Sequence, residues 1–271
     1  MTPYVRTVLV MVALLAVACG NPVGQQKSDK QHANRPLVAY QPSDPPSTPQ
    51  RAASRSNQPR VIPKVYEIRT NARAVAITFD DGPNPTYTPQ ILNLLAKHDA
   101  HATCFVVGNI ATHYSALVRR IARSGNEVAN HGWSHARMTD LSGEKLHSDI
   151  EHGAIAISQI TGQKPTSFRP PYGCFNETVV EIANSLGETV VLWTYSTSDW
   201  MIPQPRVILR RVLRHLRPGA IILLHDGGGP RRNTVRALAM ILLELHQQGY
   251  RAVTVRDLMH LGSVVSVDQD A

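Results

Sequence analysis

The chain has 271 residues, of which 42% are hydrophobic and 18% are charged, so it is long enough to bury one sizeable core. Its formal net charge of +8 favours contact with anionic cell-wall polymers or lipid headgroups, and plain solubility is an equally good interpretation. The basic residues are scattered along the sequence and follow an export signal, which together argue against nucleic acid as a partner.

The first 63 residues are predicted to be an export signal followed by a linker. The apolar run Thr7 to Ala18 is too short to span a bilayer as a helix, so residues 1–19 are typical of a signal peptide rather than an anchor. A small residue before Cys19 and a glycine after it resemble a bacterial lipobox, in which Cys19 would be acylated. An ordinary signal peptide cleaved nearby is the alternative. Residues 20–63 are rich in Pro, Gln, Ser, Asn and Arg and predict a disordered tether.

These segments predict a secreted or cell-envelope protein, anchored as a lipoprotein on the outer face of the cytoplasmic membrane. Export implies an oxidising compartment, yet only Cys104 and Cys174 follow Cys19, so no disulfide framework holds the fold together. Two buried thiols and one bridge are both compatible with the sequence.

After residue 63, short apolar runs alternate with amphipathic helices, which predicts strand–helix units and a parallel sheet. About seven units fit an α/β domain with an incomplete or distorted (β/α) barrel over residues 64–262, followed by a tail at 263–271. The predicted strands are 74–79, 102–107, 127–130, 167–169, 189–195, 220–224 and 250–255. A helix opens at residue 88, and further helices are predicted at 115–124, 146–160, 178–186, 207–216 and 234–246.

Reactive side chains follow the carboxyl ends of several predicted strands. In a parallel barrel these strand ends converge on one mouth, so residues far apart in sequence would face a common cleft. The residues concerned are Asp80, Asp81, His131, Arg169, Tyr172, Asp199, Trp200 and His225.

Two of these patterns suggest metal and acid–base chemistry. His131 and His135 are four residues apart, so a helical turn would place both imidazoles on one face, where a carboxylate could complete a three-ligand metal site. With 12 histidines in the chain, this spacing also arises by chance. The side chains of Asp80 and Asp81 must point in different directions, so one can bind metal while the other serves as a base. A simple turn before Gly82 is the alternative.

Five motifs in order resemble those of the NodB-type polysaccharide deacetylases, also called carbohydrate esterase family four. The resemblance covers residues 74–255, and five ordered motifs are far more specific than any one of them. The motifs are TFDDG at Thr78 to Gly82, NHGWSH at Asn130 to His135, RPPY at Arg169 to Tyr172, SxxDW at Ser196 to Trp200 and LLH at Leu223 to His225.

The resemblance implies roles for the reactive residues. Asp81, His131 and His135 would bind a divalent metal, with zinc expected and cobalt, nickel or manganese as alternatives. Asp80 would be the general base, and His225 would protonate the departing sugar amine. An amine leaves poorly unless it is protonated, so an amide hydrolase of this kind needs an acid as well as a base.

Further residues would support this machinery in the family. Arg169 would keep Asp80 ionised, and Asp199 would orient and tune His225. Structural ion pairs are the alternative for both. Ser196 stands where the fourth motif often has an acidic residue, which leaves the tuning of this part of the site in doubt.

The family also implies contacts with the acetyl group. The backbone N–H of Tyr172 would stabilise the oxyanion, and Trp200 and Leu223 would wall a small apolar pocket for the acetyl methyl. Core packing is the alternative for the last two residues.

Taken together, the resemblance implies a monomeric hydrolase that removes N-acetyl groups from N-acetylglucosamine in peptidoglycan or a chitin-like polymer and releases acetate. One alternative is an O-acetyl esterase acting on xylan or another acetylated glycan. The other is a non-catalytic lipoprotein that binds glycans, although binding alone requires neither a base nor an acid.

Overall fold

The computed structural model describes residues 64–265. The predicted signal peptide, Cys19 and the linker at 20–63 lie outside the described residues, as do residues 266–271. No helix within the described range combines the length and apolarity that a membrane span requires. No disulfide joins Cys104 and Cys174 in this range.

The described residues alternate between short strands and helices, as the sequence predicts. The strands are β1 (Lys64–Val65), β2 (Glu67–Arg69), β3 (Ala74–Gly82), β4 (Thr103–Val106), β5 (Glu127–Asn130), β6 (Ser167–Phe168), β7 (Thr189–Val191), β8 (Tyr195–Ser196), β9 (Ile221–His225), β10 (Arg251–Val253) and β11 (Ser263–Val265). The α-helices are α1 (Thr88–Lys97), α2 (Gly108–His113), α3 (Ser115–Arg123), α4 (Gly143–Thr161), α5 (Glu177–Ser185), α6 (Pro205–His215), α7 (Arg232–Gln247) and α8 (Val255–Met259). Short 3-10 helices cover Met138–Asp140, Pro171–Gly173 and Asp199–Met201.

The main sheet curls into an incomplete barrel. Its strands are parallel and hydrogen-bonded in the order β1-β7-β6-β5-β4-β3-β9-β8, and β10 pairs with the first residues of β3. Strands β7 and β8 lie near opposite ends of this order, yet only residues 192–194 separate them in the chain. Such a connection spans at most about 14 Å, so the two edges of the sheet must approach each other. The predicted barrel-like fold is confirmed.

Alternation along β3 separates the core into two layers. Val75, Ile77 and Phe79 belong to the cluster shared with the surrounding helices. Ala74 and Ala76 belong to a different cluster, which lies on the opposite face of the strand. The face with Ala74 and Ala76 is directed to the inside of the barrel. Because alanine is small, this inner face leaves room for polar side chains further along the strand.

The strand predicted at 189–195 is broken in the structure, which corrects the prediction. The backbone carbonyls of Val191 and Leu192 accept hydrogen bonds from the Arg169 side chain. Thr194 then pairs with Ile221 of β9, since its N–H donates to the Ile221 carbonyl at 2.9 Å. The chain therefore leaves one edge of the sheet and joins the other, although its β-type composition is continuous.

The C-terminal region also differs from the prediction. The strand predicted at 250–255 ends at Val253, because the Thr254 side chain accepts a hydrogen bond from the Asp257 N–H and caps α8. The predicted tail begins at residue 263, but Ser263–Val265 form a strand that pairs antiparallel with β2.

Candidate active site

Asp80 and Asp81 lie within β3, near its carboxyl end, whereas the sequence predicted that they come after the strand. Strand alternation puts Asp80 on the inner face with Thr78, where it is 3% exposed. Asp81 has a left-handed backbone with φ of 70°, and the β3–β4 register shifts between Phe79 and Gly82. This irregularity turns the Asp81 side chain to the barrel mouth while Asp80 stays inside, so the two carboxylates occupy different environments, as the sequence indicates.

The side chains of Asp81, His131 and His135 converge on one point. Oδ1 of Asp81 lies 3.4 Å from Nε2 of His131 and 2.9 Å from Nε2 of His135, and one ligand atom from each residue falls within 4.8 Å of the others. Nδ1 of His131 is 2.7 Å from the Arg169 carbonyl oxygen, which aims Nε2 at the cluster in the way typical of metal-binding histidines. A carboxylate and two imidazoles fit a divalent metal such as zinc and leave a coordination position open.

The segment that carries the two histidines is a loop, so the prediction of a helical turn was wrong. Residues 131–137 are not helical, and His135 has a left-handed φ of 60°. Asp149 of α4 holds the loop, because its carboxylate accepts hydrogen bonds from the Trp133 N–H at 2.8 Å and from the Ser134 hydroxyl at 2.5 Å. No motif in the sequence marks Asp149, which lies 14 residues beyond His135.

The electrostatics of Asp81 suit a metal ligand. Burial by itself raises the pKa of this carboxyl, but hydrogen bonds from His131 and His135, with the charges of His131 and His225, bring the pKa below its ordinary value. The carboxyl group therefore ionises readily, as metal binding requires.

Arg169 fixes the position of Asp80 inside the barrel. Its Nη1 donates to Oδ1 of Asp80 and to the Thr78 hydroxyl, both at 2.7 Å, while Nε and Nη2 donate to the carbonyls of Val191 and Leu192. The guanidinium is fully buried, and its ion pair is therefore shielded from water. The other carboxylate oxygen of Asp80 faces the cluster of Asp81, His131 and His135.

That second oxygen, Oδ2, is 3.9 Å from Nε2 of His131. Asp80 is thus close enough to act on a molecule bound at the cluster of Asp81, His131 and His135, and it is not itself one of the three converging residues. The guanidinium of Arg169 also lies 4.0 Å from the centroid of the Phe105 ring, which limits its movement.

His225 and Asp199 form the other half of the site. Nδ1 of His225 lies 2.8 Å from Oδ1 of Asp199, whose second oxygen accepts hydrogen bonds from the His225 N–H and the Thr234 hydroxyl. Burial alone lowers the pKa of His225, but the hydrogen bond and charge of Asp199, with the charges of Asp80 and Asp81, outweigh it and raise the pKa. In the β3–β9 register His225 is directly opposite Asp80, so the predicted acid and base lie side by side.

Asp199→Asn should shift the alkaline limb of the pH–rate profile to lower pH. The substitution removes the charge that raises the pKa of His225, so less of the imidazole is protonated at neutral pH. Acetate release measured from pH 5 to 10 tests this, with thermal unfolding and zinc affinity as controls for the fold and the metal site. An unchanged alkaline limb would contradict the assignment of His225 as the acid.

Three further predicted residues lie around the mouth. Tyr172 is 61% exposed, and its ring centroid is 4.9 Å from that of His135. Trp200 lies in the 3-10 helix that begins at Asp199 and is 54% exposed, whereas Leu223 is buried in β9, two residues before His225. Tyr172 therefore lies beside the cluster of Asp81, His131 and His135, while a shared acetyl pocket between Trp200 and Leu223 stays a prediction.

Left-handed backbone conformations concentrate around this mouth. Six non-glycine residues in the described range have positive φ, and Asp99 is the one that is remote from the predicted motifs. Such conformations are unfavourable for residues with a Cβ and are typical of functional sites. The five others are Asp81, His135, Tyr172, Ser198 and Ile202.

Comparison with known proteins agrees with this geometry. Residues 67–191 match the family described as polysaccharide deacetylase. A peptidoglycan-N-acetylglucosamine deacetylase of Bacillus cereus is 42% identical over 196 residues, which are 72% of this chain and 92% of that protein. A chitooligosaccharide deacetylase of Bradyrhizobium sp. is 35% identical over 193 residues, covering 67% of this chain and 88% of that protein.

A solved structure extends the comparison to the fold. A CE4-family pseudoenzyme from Bacillus anthracis superimposes with a TM-score of 0.69 and 32% identity, over 73% of this chain and 69% of that one. This chain belongs to the polysaccharide deacetylase family. The resemblance carried by the five sequence motifs is thereby confirmed.

Proposed function

We propose that the protein is a divalent-metal-dependent N-deacetylase that removes acetyl groups from N-acetylglucosamine residues of peptidoglycan. The supporting observation is that the Asp81, His131 and His135 cluster lies at the same barrel mouth as the Asp80 and His225 pair. The Bacillus cereus relative is named for the same bond in peptidoglycan, while the Bradyrhizobium relative makes a chitin-like polymer the alternative substrate.

The first half of the proposed reaction uses the metal-binding residues and the base. A metal held by Asp81, His131 and His135 would polarise the acetyl carbonyl and acidify a water. Asp80 accepts a proton from the attacking water through Oδ2, while Arg169 holds Oδ1. The new C–O bond forms first and gives a tetrahedral oxyanion, and the C–N bond breaks when that oxyanion collapses.

On the leaving-group side, His225 donates its proton to the amine nitrogen, so acetate and a free amine result. Its raised pKa favours the protonated form that this step requires. The backbone N–H of Tyr172 is assigned to the oxyanion, and the left-handed φ of 62° at Tyr172 sets the direction of this peptide group. Asp199 acts only through His225 and is a positioning residue.

Metal removal provides the direct test. We expect a chelator to abolish acetate release from peptidoglycan and from chitooligosaccharide, and added zinc to restore it, with cobalt, nickel and manganese assayed alongside. New primary amines should appear in the same ratio as acetate. Undiminished activity in the metal-free protein, or no acetate from any of these polymers, would refute the proposal.

The two remaining alternatives differ in what they require of the site. An O-acetyl esterase would use the same residues, and acetylated xylan in the substrate panel identifies it. The second alternative is a glycan-binding protein without activity, and one solved relative is a pseudoenzyme. Here Asp80 and His225 are both present and each has a buried charged partner, Arg169 or Asp199, which favours catalysis.

The same proposal covers processing and location. Residues 1–18 would be removed and Cys19 would be acylated as the first residue of the mature protein, so that residues 20–63 would tether a monomeric domain to the outer face of the cytoplasmic membrane. The support is the sequence pattern around Cys19. Cys19→Ala should abolish incorporation of labelled palmitate into the protein, and labelling that survives the substitution would contradict acylation of Cys19.

A further inference from the structure

Helix α6 carries an uncompensated line of positive charge. No Asp or Glu occurs between Asp199 and Asp226, whereas five arginines do. Three of them, Arg206, Arg210 and Arg214, are exposed and spaced four residues apart, so they lie on one face of α6. We call these three residues the α6 arginine stripe, and its backbone length is about 12 Å.

The stripe has no structural partner in the described residues. Arg217 pairs with Glu67, and Arg211 donates to the Thr197 carbonyl at 2.6 Å. The stripe arginines make no hydrogen bond or ion pair within residues 64–265. Like charges four residues apart repel each other, and a cation in the first turn of a helix opposes the helix dipole. Arg206 lies in the first turn and Arg214 in the last turn, where a cation favours the dipole, so the two dipole effects offset each other while the repulsion remains. Intramolecular stability therefore does not explain the stripe.

The position of α6 connects the stripe to the active site. The helix begins at Pro205, five residues after Trp200 on the rim of the mouth. The hydrogen bond from Arg211 to Thr197 ties the middle of α6 to the segment that leads to Asp199. The stripe thus starts beside the rim and extends along the outer wall of the barrel, where a polymer leaving the cleft could pass over it.

We infer that the α6 arginine stripe binds the carboxylates of the glycan strand whose acetylated sugar occupies the cleft. The inference rests on the proposed function and selects peptidoglycan, whose stem peptides carry free carboxylates, over chitin, which is neutral. Guanidinium groups suit carboxylates because their parallel N–H donors match the two oxygens. Charge complementarity at the edge of a site mainly speeds association and weakens with salt.

The test compares the two substrates in the triple variant R206Q/R210Q/R214Q. At low ionic strength we expect about a tenfold rise in KM for soluble peptidoglycan fragments, with kcat unchanged, and this difference should shrink as salt is added. KM for chitooligosaccharide should not change. In a cosedimentation assay, which measures binding independently of catalysis, the triple variant should also bind intact peptidoglycan more weakly than the parent. The melting temperature should be equal or higher, because repulsion within α6 is removed.

A matched control removes the same charge from a distant helix. Arg119, Arg120 and Arg123 of α3 provide it as R119Q/R120Q/R123Q, and this variant should keep the parent KM. An equal KM rise in the α3 variant, an equal rise on chitooligosaccharide, or no rise on peptidoglycan would overturn the inference. So would a loss of binding to phosphatidylglycerol vesicles with peptidoglycan binding intact, which would assign the stripe to a membrane. A parent that releases no acetate contradicts the proposed function instead, and cosedimentation still decides the role of the stripe.

Discussion

Asp80→Asn is expected to lower kcat for deacetylation by about 10² to 10⁴-fold, the range that a positioned general base contributes. The amide has no proton affinity near neutral pH, yet its oxygen can still accept the hydrogen bond from Nη1 of Arg169. Zinc affinity should remain near that of the parent, because Asp80 is outside the cluster of converging ligands. Acetate release and zinc titration on the same preparation provide the measurement.

The neighbouring aspartate gives the matched control. Asp81→Asn makes the same chemical change one residue along β3, but it alters a proposed metal ligand, whose carboxylate oxygen lies 2.9 Å from Nε2 of His135. This variant should lose both zinc affinity and activity. If Asp80→Asn lost zinc equally, or kept a tenth of the parent activity, the division of roles between the two carboxylates would be wrong.

Arg169→Met should reduce the free energy of unfolding by about 3–5 kcal/mol, the usual penalty for removing one partner of a buried ion pair. Asp80 would be left as an unpaired buried carboxylate, and the carbonyls of Val191 and Leu192 would lose their donors. Since these carbonyls lie where the chain crosses between the sheet edges, loosening there should also weaken the barrel. Denaturant unfolding monitored by circular dichroism measures the effect.

Two variants calibrate that result. Arg73→Met removes an exposed guanidinium that donates to the Gln248 carbonyl and should change stability by less than about 1 kcal/mol. Arg169→Lys keeps the charge beside Asp80 but has too few donors in a fixed plane to replace the guanidinium, so an intermediate loss is expected. A loss for Arg169→Met no larger than that for Arg73→Met would show that Arg169 does not support the fold.

The sequence predicted the barrel and the identity of the converging residues well, because both depend on local patterns. The long apolar run before Asp80 and the alternating strands and helices need only periodicity to be recognised. The convergence of Asp81, His131 and His135 follows from a general property of parallel barrels, namely that strand ends meet at one mouth.

The features that were missed depend on tertiary contacts. The composition of residues 189–195 does not reveal that the Arg169 side chain donates hydrogen bonds to two carbonyls in the middle of this segment. It also does not reveal that Thr194 pairs with β9. The spacing of His131 and His135 predicted a helical turn. Spacing alone cannot show that the Asp149 carboxylate accepts hydrogen bonds from the Trp133 N–H and the Ser134 hydroxyl and so holds this segment as a loop. The α6 arginine stripe was likewise scattered charge in the sequence and became a single face only in the folded helix.

The left-handed residues around the mouth have a consequence for engineering this enzyme. The left-handed conformations of Asp81, His135 and Tyr172 each cost roughly 1 kcal/mol or more, so backbone strain is concentrated around the mouth of the barrel. Glycine at these positions would relieve the strain, but at Asp81 and His135 it would also delete a proposed metal ligand. Stabilising substitutions should therefore be placed first in the outer helices, because a substitution that raises thermal stability at the mouth would lower catalytic activity.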